Sequence, residues 1–475
     1  MDLQGRQVIY TDIDDVNDSN VQAILERALP IHLKNQAQIQ YLYDYYKGKQ
    51  PILQRVKEFR EDICNKIVEN RANEIVSFKV GYLMGEPVQY VNRGGEENLD
   101  AINILNNYMF AEDKAEKDKE LADWFTICGT AYRMALPDPS GEEDEAPFEI
   151  YTLDPRNTFI VYHNGLGNKP VMGVRFVTRS TGEIVYSVYT TKRYYEFTAQ
   201  STAISVSNGE PQVIGGLVRI KAEDHIYGNV PIIEYPANAA RLGEFEIVIP
   251  LLDALNAVSS NRLDGIEQFI QSLLVLIGTD IEDEQFKAIR ELGGIKLPQG
   301  GEAKYLTQEL NQQQTQTFVN YLYQTVLVIC GMPNRNGGSS TSDTGSAVIM
   351  RDGWSDAEAR AKDSELMFKL SEKQFLRLVL EYTQTLRDMD LKLSSVEIRF
   401  TRRNYENIQA KAQVLSTMLN NDKIDPKLAF ESCGMFVDPD LAYTQSVEYS
   451  RNRALEIERE LDADARVQTE AARAE

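Results

Sequence analysis

The chain of 475 residues is poor in cysteine, histidine and positive charge. Its four cysteines, Cys64, Cys128, Cys330 and Cys433, stand far apart without a Cys-x-x-Cys pair. That pattern speaks for free thiols in a reducing compartment and against a disulfide framework or a zinc site. His32, His163 and His225 lie in unrelated segments without metal-ligand spacing and read as structural. The longest apolar runs, Leu273–Ile277 and Thr325–Cys330, fall far short of the ~20 residues of a membrane span. The N-terminal stretch MDLQGRQVIYTDIDD is polar and acidic, unlike a signal peptide. The expectation is a soluble intracellular protein with no membrane partner.

Lysine and arginine number 50 against 72 acids, a formal net charge of −22. Tight, sequence-nonspecific DNA binding needs clustered cations, so such a chain is a poor candidate for it. The acids of residues 12–18, DIDDVND, lack the glycine of a calcium loop, and helix capping accounts for them. GxGxxG, GxSxG, HExxH and kinase-type motifs are missing, and nothing singles out a carboxylate pair among the acids. No catalytic residue, metal or cofactor is therefore expected, although an acidic, metal-dependent nuclease or hydrolase stays open as an alternative. One stretch imitates a phosphate cradle: from Gly337 to Ser342 every residue is Gly, Ser or Thr. A phosphate loop needs a lysine and a preceding strand. No lysine occurs between Met332 and Trp354, and a helical pattern precedes the stretch. It reads as a mobile loop.

The pattern along the chain is α+β. Residues 21–84 are helix-rich, with NKIVENRANEIVSFKVGYLMG reading as one helix stopped at Gly85-Glu86-Pro87. A second helical block covers 97–128, with the mixed charges of EDKAEKDKELADWF on its exposed face. From Ala131 to Tyr235, short β-branched and aromatic runs alternate with turn signals, which predicts antiparallel hairpins. The acids Glu142–Glu145 read as a solvated turn. Helices are then expected over 250–277 and 309–331, enclosing a small mixed segment with strands near Gly293-Gly294 and Gly300-Gly301. A very long helix is expected from about Ser346 to Asp388, then a strand (VEIRFTR) and a helical C-terminal region whose charged end, 456–475, frays or is disordered.

The informative feature is a polar stripe on each of the two middle helices. Asp253, Asn256, Ser260, Asp264, Glu267 and Gln271 recur every three or four residues, as do Glu309, Gln312, Gln316, Asn320 and Gln324. A wet face usually mixes charges, yet Arg262 is the lone cation between Pro250 and Ile277, and none lies between Glu309 and Gly331. Such faces suit the wall of a passage for a polyanion, since they offer phosphate little to hold.

Four stretches together resemble the portal (head-to-tail connector) proteins of tailed double-stranded DNA bacteriophages, of the type found in siphophages of Gram-positive hosts. They are YYKGKQPIL with NKIVENRANEIVSFKVGYLMGEPVQY; LDPRNTFIVYHNGLGNKPVMGVRF; VPIIEYPANAARLGEFEIVIPLLDALNAVSSNRLDGIEQF; and GSAVIMRDGW with the later IRFTRRNYENIQAKAQVLSTML. The third is the most specific, carrying N-x-x-R-x-G-E-F-E into a long helix.

The resemblance implies a ring, dodecameric in the virion, around an axial DNA channel at one capsid vertex. It implies a wing over 1–249 (helical 18–128, β-rich 129–249), stem helices 250–277 and 309–332, and a small α/β clip over 278–308. A tunnel loop over 333–345, a long helix over 346–394 and a crown over 395–475 follow. The stem faces Asp253, Asn256, Ser260, Asp264, Glu267, Gln271, Gln312, Gln316, Asn320 and Gln324 would line the channel. The tunnel loop would be Asn334, Arg335, Asn336, Gly337, Gly338, Ser339, Ser340, Thr341, Ser342, Asp343 and Thr344. The clip, through Asp280, Glu282, Asp283, Glu284, Lys287, Arg290, Lys296 and Lys304, would dock the terminase and later a head-completion or adaptor protein. Major capsid and scaffolding proteins would be further partners, in the host cytoplasm during assembly and then in the virion; besides the nuclease or hydrolase, another structural capsid or adaptor protein is the alternative.

Overall fold

The first helix sets the pattern of the fold. Val21, Ile24, Leu25, Ala28 and Leu29 recur at helical spacing, and α1 (Val21–Tyr46) buries them all. The computed structural model describes residues 5–58, 61–93, 98–139, 145–200, 204–207, 210–213, 216–225, 228–270, 273–277, 302–306, 312–334, 353–401, 408–436 and 439–474. The apolar stripe of α1 packs on a six-stranded sheet in the order β1 (Ile9–Thr11), β5 (Thr158–His163), β6 (Pro170–Thr178), β7 (Glu183–Thr190), β8 (Arg193–Gln200) and β11 (Val218–Asp224). All neighbours are antiparallel except β1 with β5, where Ile9 sits opposite Val161. Alternate residues Phe159, Val161, Met172, Val174, Tyr186 and Val188 form the buried face. Each such side chain contributes about 1.5–3 kcal/mol by leaving water. A short ladder of β9 (Ile204–Ser207) with β10 (Glu210–Val213) extends this hairpin region.

Around the main core lie α2 (Arg71–Leu83), α3 (Leu99–Ala111) and α4 (Lys114–Cys128). A three-stranded sheet, ordered β12 (Ile232–Pro236), β3 (Thr130–Pro137), β4 (Phe148–Leu153), completes it. From this core α5 (Ile249–Ile270) leaves, and α6 (Gln312–Cys330) returns to lie beside it. Then α7 (Trp354–Arg387) crosses the three-stranded sheet, and β15 (Val396–Arg399) pairs with β2 (Gln89–Asn92). The chain ends in α8 (Ile408–Leu419), α9 (Pro426–Cys433) and α10 (Pro439–Ala474).

Several expectations shift. The first middle helix stops at Ile270, and Leu273–Ile277 is instead strand β13, antiparallel to β14 (Glu302–Leu306) with Val275 opposite Lys304. A run of five apolar residues fits either element, and a pairing partner decides it for the strand. The long helix is described from Trp354, after Gly353 at φ 82°; the expected start near Ser346 lies outside the described residues. Residues 65–69 are neither helix nor strand and Asn70 has a left-handed φ of 48°, so the helix read from NKIVENRANEIV begins only at Arg71. The charged C-terminal stretch expected to fray is the second half of α10. The mixed charges of residues 112–125 are not all on a wet face: Lys114 and Asp118 are buried. The turn at Glu142–Asp144 lies outside the described residues.

Candidate functional site

The segment N-x-x-R-x-G-E-F-E, Asn238 to Glu246, positions α5. Arg241 turns its guanidinium back on Glu234 of β12, with Nε to Oε1 2.6 Å and Nη2 to Oε2 2.9 Å. Thr130 and Tyr162 also donate to Glu234, at 2.8 and 2.6 Å. Burial opposes the charge on Glu234, but Arg241 and these donors outweigh it and hold its carboxyl below the usual range. Glu246 is buried and accepts from Arg6 at 2.7 Å and from the Gly243 amide at 2.9 Å. Gly243 itself runs so close to α4 that a Cβ there would sit 2.3 Å from the Ile127 carbonyl oxygen. The start of α5 is thus tied to the segment before β1, to α4 and to β12 at once.

Along α5, the polar stripe is not a wet face. Asn256, Ser260 and Asp264 are each 2 % exposed or less. Residues 65–69, the middle of a strap that spans 63–70, run antiparallel over them. The Asn65 amide donates to Asp264 Oδ1 at 2.8 Å, the Ile67 amide to Ser260 Oγ at 2.9 Å, and the Glu69 amide to Asn256 Oδ1 at 2.9 Å. The periodicities match: four helical residues rise about 6 Å, and two extended residues advance about 6.6 Å. Every second amide of the strap therefore meets an acceptor one helical turn further on. Asp264 also pairs with Arg55 at 3.0 Å and with Lys57. Burial works against its charge, yet Lys57 and the Asn65 donors prevail and keep its carboxyl below the usual carboxylate range. Asp253 accepts from Tyr45 at 2.8 Å, and Glu267 from the Asn65 side chain at 3.0 Å. Asn256, Ser260 and Asp264, expected on an open channel face, are instead buried and bonded by the chain itself, while Asp253 and Glu267 are half-buried beside them. Gln271 lies outside the described residues.

On α6 the amides behave differently. Gln316, Asn320 and Gln324 are exposed, four residues apart on one side. Gln316 accepts from Arg262 of α5 at 2.7 Å and donates to Asn320 at 2.8 Å. Leu322, Val326 and Cys330 face the core. Tyr323 donates to Glu74 of α2 at 2.7 Å, with the Arg71 guanidinium 4.3 Å from its ring centre, so α6 is also held to the start of α2. Gln312 is helical, at the first position of α6.

Asn334 is described, half-buried after the end of α6; Arg335 to Thr344 of the expected loop lie outside the described residues. So do Asp280, Glu282, Asp283, Glu284, Lys287, Arg290 and Lys296, while Lys304 stands on β14. Among the described residues no group of His, Cys, Asp and Glu is placed to hold a metal ion, and no helix is long and apolar enough to cross a membrane.

Sequence reasoning missed a buried ionic cluster that fixes α7. Glu372 of α7 pairs with Lys114 at 2.9 Å and Arg133 of β3 at 3.2 Å, and Asp118 closes the ring on the same two cations. Tyr235 donates to Glu372 at 2.6 Å, and Tyr90 donates to its other oxygen. Burial disfavours the Glu372 carboxylate, but Lys114 and Arg133 hold it below the usual range. The i, i+4 pair of Lys114 and Asp118 was visible in the sequence; its burial was not.

The family model described as "Phage portal protein, SPP1 Gp6-like" matches residues 25–468. Among solved structures, the fold is similar to a chain in the neck of an empty GTA particle computed with C6 symmetry. The two share 12 % identity over 78 % of this chain and 91 % of that one, with a TM-score of 0.44. A chain in the neck of a native GTA particle computed with C12 symmetry shows 13 % identity, 77 % and 89 % coverage and a TM-score of 0.42. No curated protein matches.

Proposed function

The chain belongs to the SPP1 Gp6-like family of phage portal proteins, and from that premise we propose that it assembles as a ring, a dodecamer in the virion, around a channel for double-stranded DNA at one capsid vertex. The observation that carries this is the reach of the match, residues 25–468, through both middle helices and the paired strands between them. In this reading α5 and α6 are the stem. The segment 278–308 is the clip that docks the terminase and then a head-completion protein. Residues 333–345 are the loop nearest DNA. The C-terminal helices form the crown, next to capsid and scaffolding proteins.

The protein acts as a conduit and docking platform rather than an enzyme; ATP hydrolysis belongs to the terminase. The geometry favours the amide row Gln316, Asn320 and Gln324 as the channel face, in place of the strapped row on α5. Amides keep a hydrated wall without offering phosphate a cation, so DNA meets little that would hold it.

Native mass measurement and negative-stain imaging of the purified chain test the reading. A symmetric ring with a central hole and a mass that is a multiple of 53.9 kDa is the expected result. A monomer with divalent-metal-dependent turnover would overturn it in favour of a nuclease or hydrolase.

A further inference from the structure

Strap, α5 and α6 are stacked in that order. Ser260 and Asp264 of α5 face the strap. Arg262, two residues on from Ser260, lies about 200° round the helix, and it reaches Gln316 of α6. Each outer surface of this three-layer unit carries exposed apolar groups. On the strap side the neighbouring segment 53–57, which joins the strap at Asp264 through Arg55 and Lys57, leaves Val56 81 % and Leu53 43 % exposed. Val56 points outward because Arg55 and Lys57, its neighbours in extended chain, both turn inward to Asp264. On the α6 side Val328 is 74 %, Tyr321 62 % and Phe318 50 % exposed. These three share one face, about 100° round from the amide row and distinct from the core face. Within one chain the two patches point away from each other, so neither can cover the other.

We infer that the α6 face of one subunit, Phe318, Tyr321 and Val328, packs on the strap face of the next, Leu53 and Val56. The inference rests on the ring reading above and deepens it. Two different patches on opposite sides of one unit make a head-to-tail contact, the kind that closes into a ring after enough rotations. From Gln312 to Cys330 there is no charged residue, so the α6 half of the contact brings no ion to desolvate; Lys57, Glu58 and Lys66 stand at the rim of the other half. Aromatic, charge-depleted surface is also what the centre of a protein interface contains.

The test uses two surface variants, Val56→Glu and Val328→Glu, each placing a charge at one half of the contact. Both sites are exposed, so each variant should keep the wild-type circular dichroism and melting temperature. Alone, each should lose ring assembly at least ~10-fold by native mass. Mixed, they should form a heterodimer and nothing larger: the α6 face of V56E and the strap face of V328E are both intact, and the remaining contact joins two charged faces. Rings from either single variant at the wild-type level, or a folded mixture that stays monomeric while the wild type forms rings, would overturn the inference and leave the portal reading standing. A wild-type chain that forms no ring would remove both.

Discussion

The Asn65 amide hydrogen-bonds to Asp264 at 2.8 Å across nearly two hundred residues of sequence, and with it a carboxylate on α5 holds the strap to the stem helix. Removing that carboxylate leaves Arg55, Lys57 and the Asn65 amide without their shared partner. Asp264→Ala should cost about 1.5–3 kcal/mol, the range for hydrogen bonds to a charged group. Hydrogen exchange should rise over residues 63–70 before any change in the β sheets. Because the folded-state carboxyl titrates below its unfolded value, this contribution is complete above the ordinary carboxylate range and is lost as pH falls through the folded value. Wild type and D264A should therefore converge in stability in acid, which pH-dependent denaturant melts would show; a constant gap would refute the ionic anchoring.

His32 should give the chain a separate sensitivity at milder pH. Its ring is 1 % exposed, stacks on Phe159 at 4.5 Å, and Nε2 bonds to the Arg156 carbonyl at 3.0 Å. Burial lowers its pKa from 6.5 to about 4, against a smaller opposing effect of the Arg156 carbonyl. Between those values the unfolded chain binds a proton that the folded chain does not. Stability is therefore full above about pH 6.5 and declines towards pH 4, with a limiting slope of about 1.4 kcal/mol per pH unit. His32→Phe should flatten the melting temperature between pH 7 and pH 5, even if it lowers stability at neutral pH by breaking the carbonyl bond. Parallel curves for the two proteins would exclude this role.

The ionic cluster at Glu372 should be costly to break singly and cheaper to break in pairs. Glu372→Gln leaves Lys114 and Arg133 against Asp118 alone, all buried. An uncompensated buried charge costs about 3–5 kcal/mol. Lys114→Met combined with E372Q restores a one-to-one balance of Arg133 with Asp118. The double variant should be more stable than E372Q, with a coupling energy above about 1 kcal/mol in the double-mutant cycle. Additive losses would mean that the groups act independently.

Local patterning made the β region, the middle helices and the long helix legible before the structure. Turn residues delimit the strands from Thr130 to Pro236, and unbroken helical spacing marks α1, α5, α6 and most of α7. The strap was not legible. Ile67, Val68 and Ile75 fit a helical spacing, but the Asn65, Ile67 and Glu69 amides are captured by side chains almost two hundred residues away. A row of acceptors that binds backbone looks, in sequence, like a row that binds water. The available hint was chemical: Asn256, Ser260 and Asp264 can each accept, and no lysine accompanies them. For Leu273–Ile277 the ambiguity was one of length, since five apolar residues do not distinguish the end of a helix from a strand.

The amide row of α6 makes the sharpest functional test. Gln316, Asn320 and Gln324 are exposed at one-turn spacing on a helix without charge, so lysines there add cations without disturbing the core. In a ring each position becomes a circle of cations around the proposed DNA path. Every phosphate neutralised releases counterions, which turns weak contact into salt-sensitive binding. The triple variant Gln316→Lys, Asn320→Lys, Gln324→Lys should still form rings, yet reduce DNA-filled particles at least ~10-fold, with recovery as salt is raised. A triple glutamate variant, which repels phosphate, should package close to the wild-type level. Counting DNA-filled heads from a complemented portal-null phage separates the two. Equal packaging by lysine and glutamate variants that both form rings would mean that this face does not look onto DNA, while leaving the ring itself untouched.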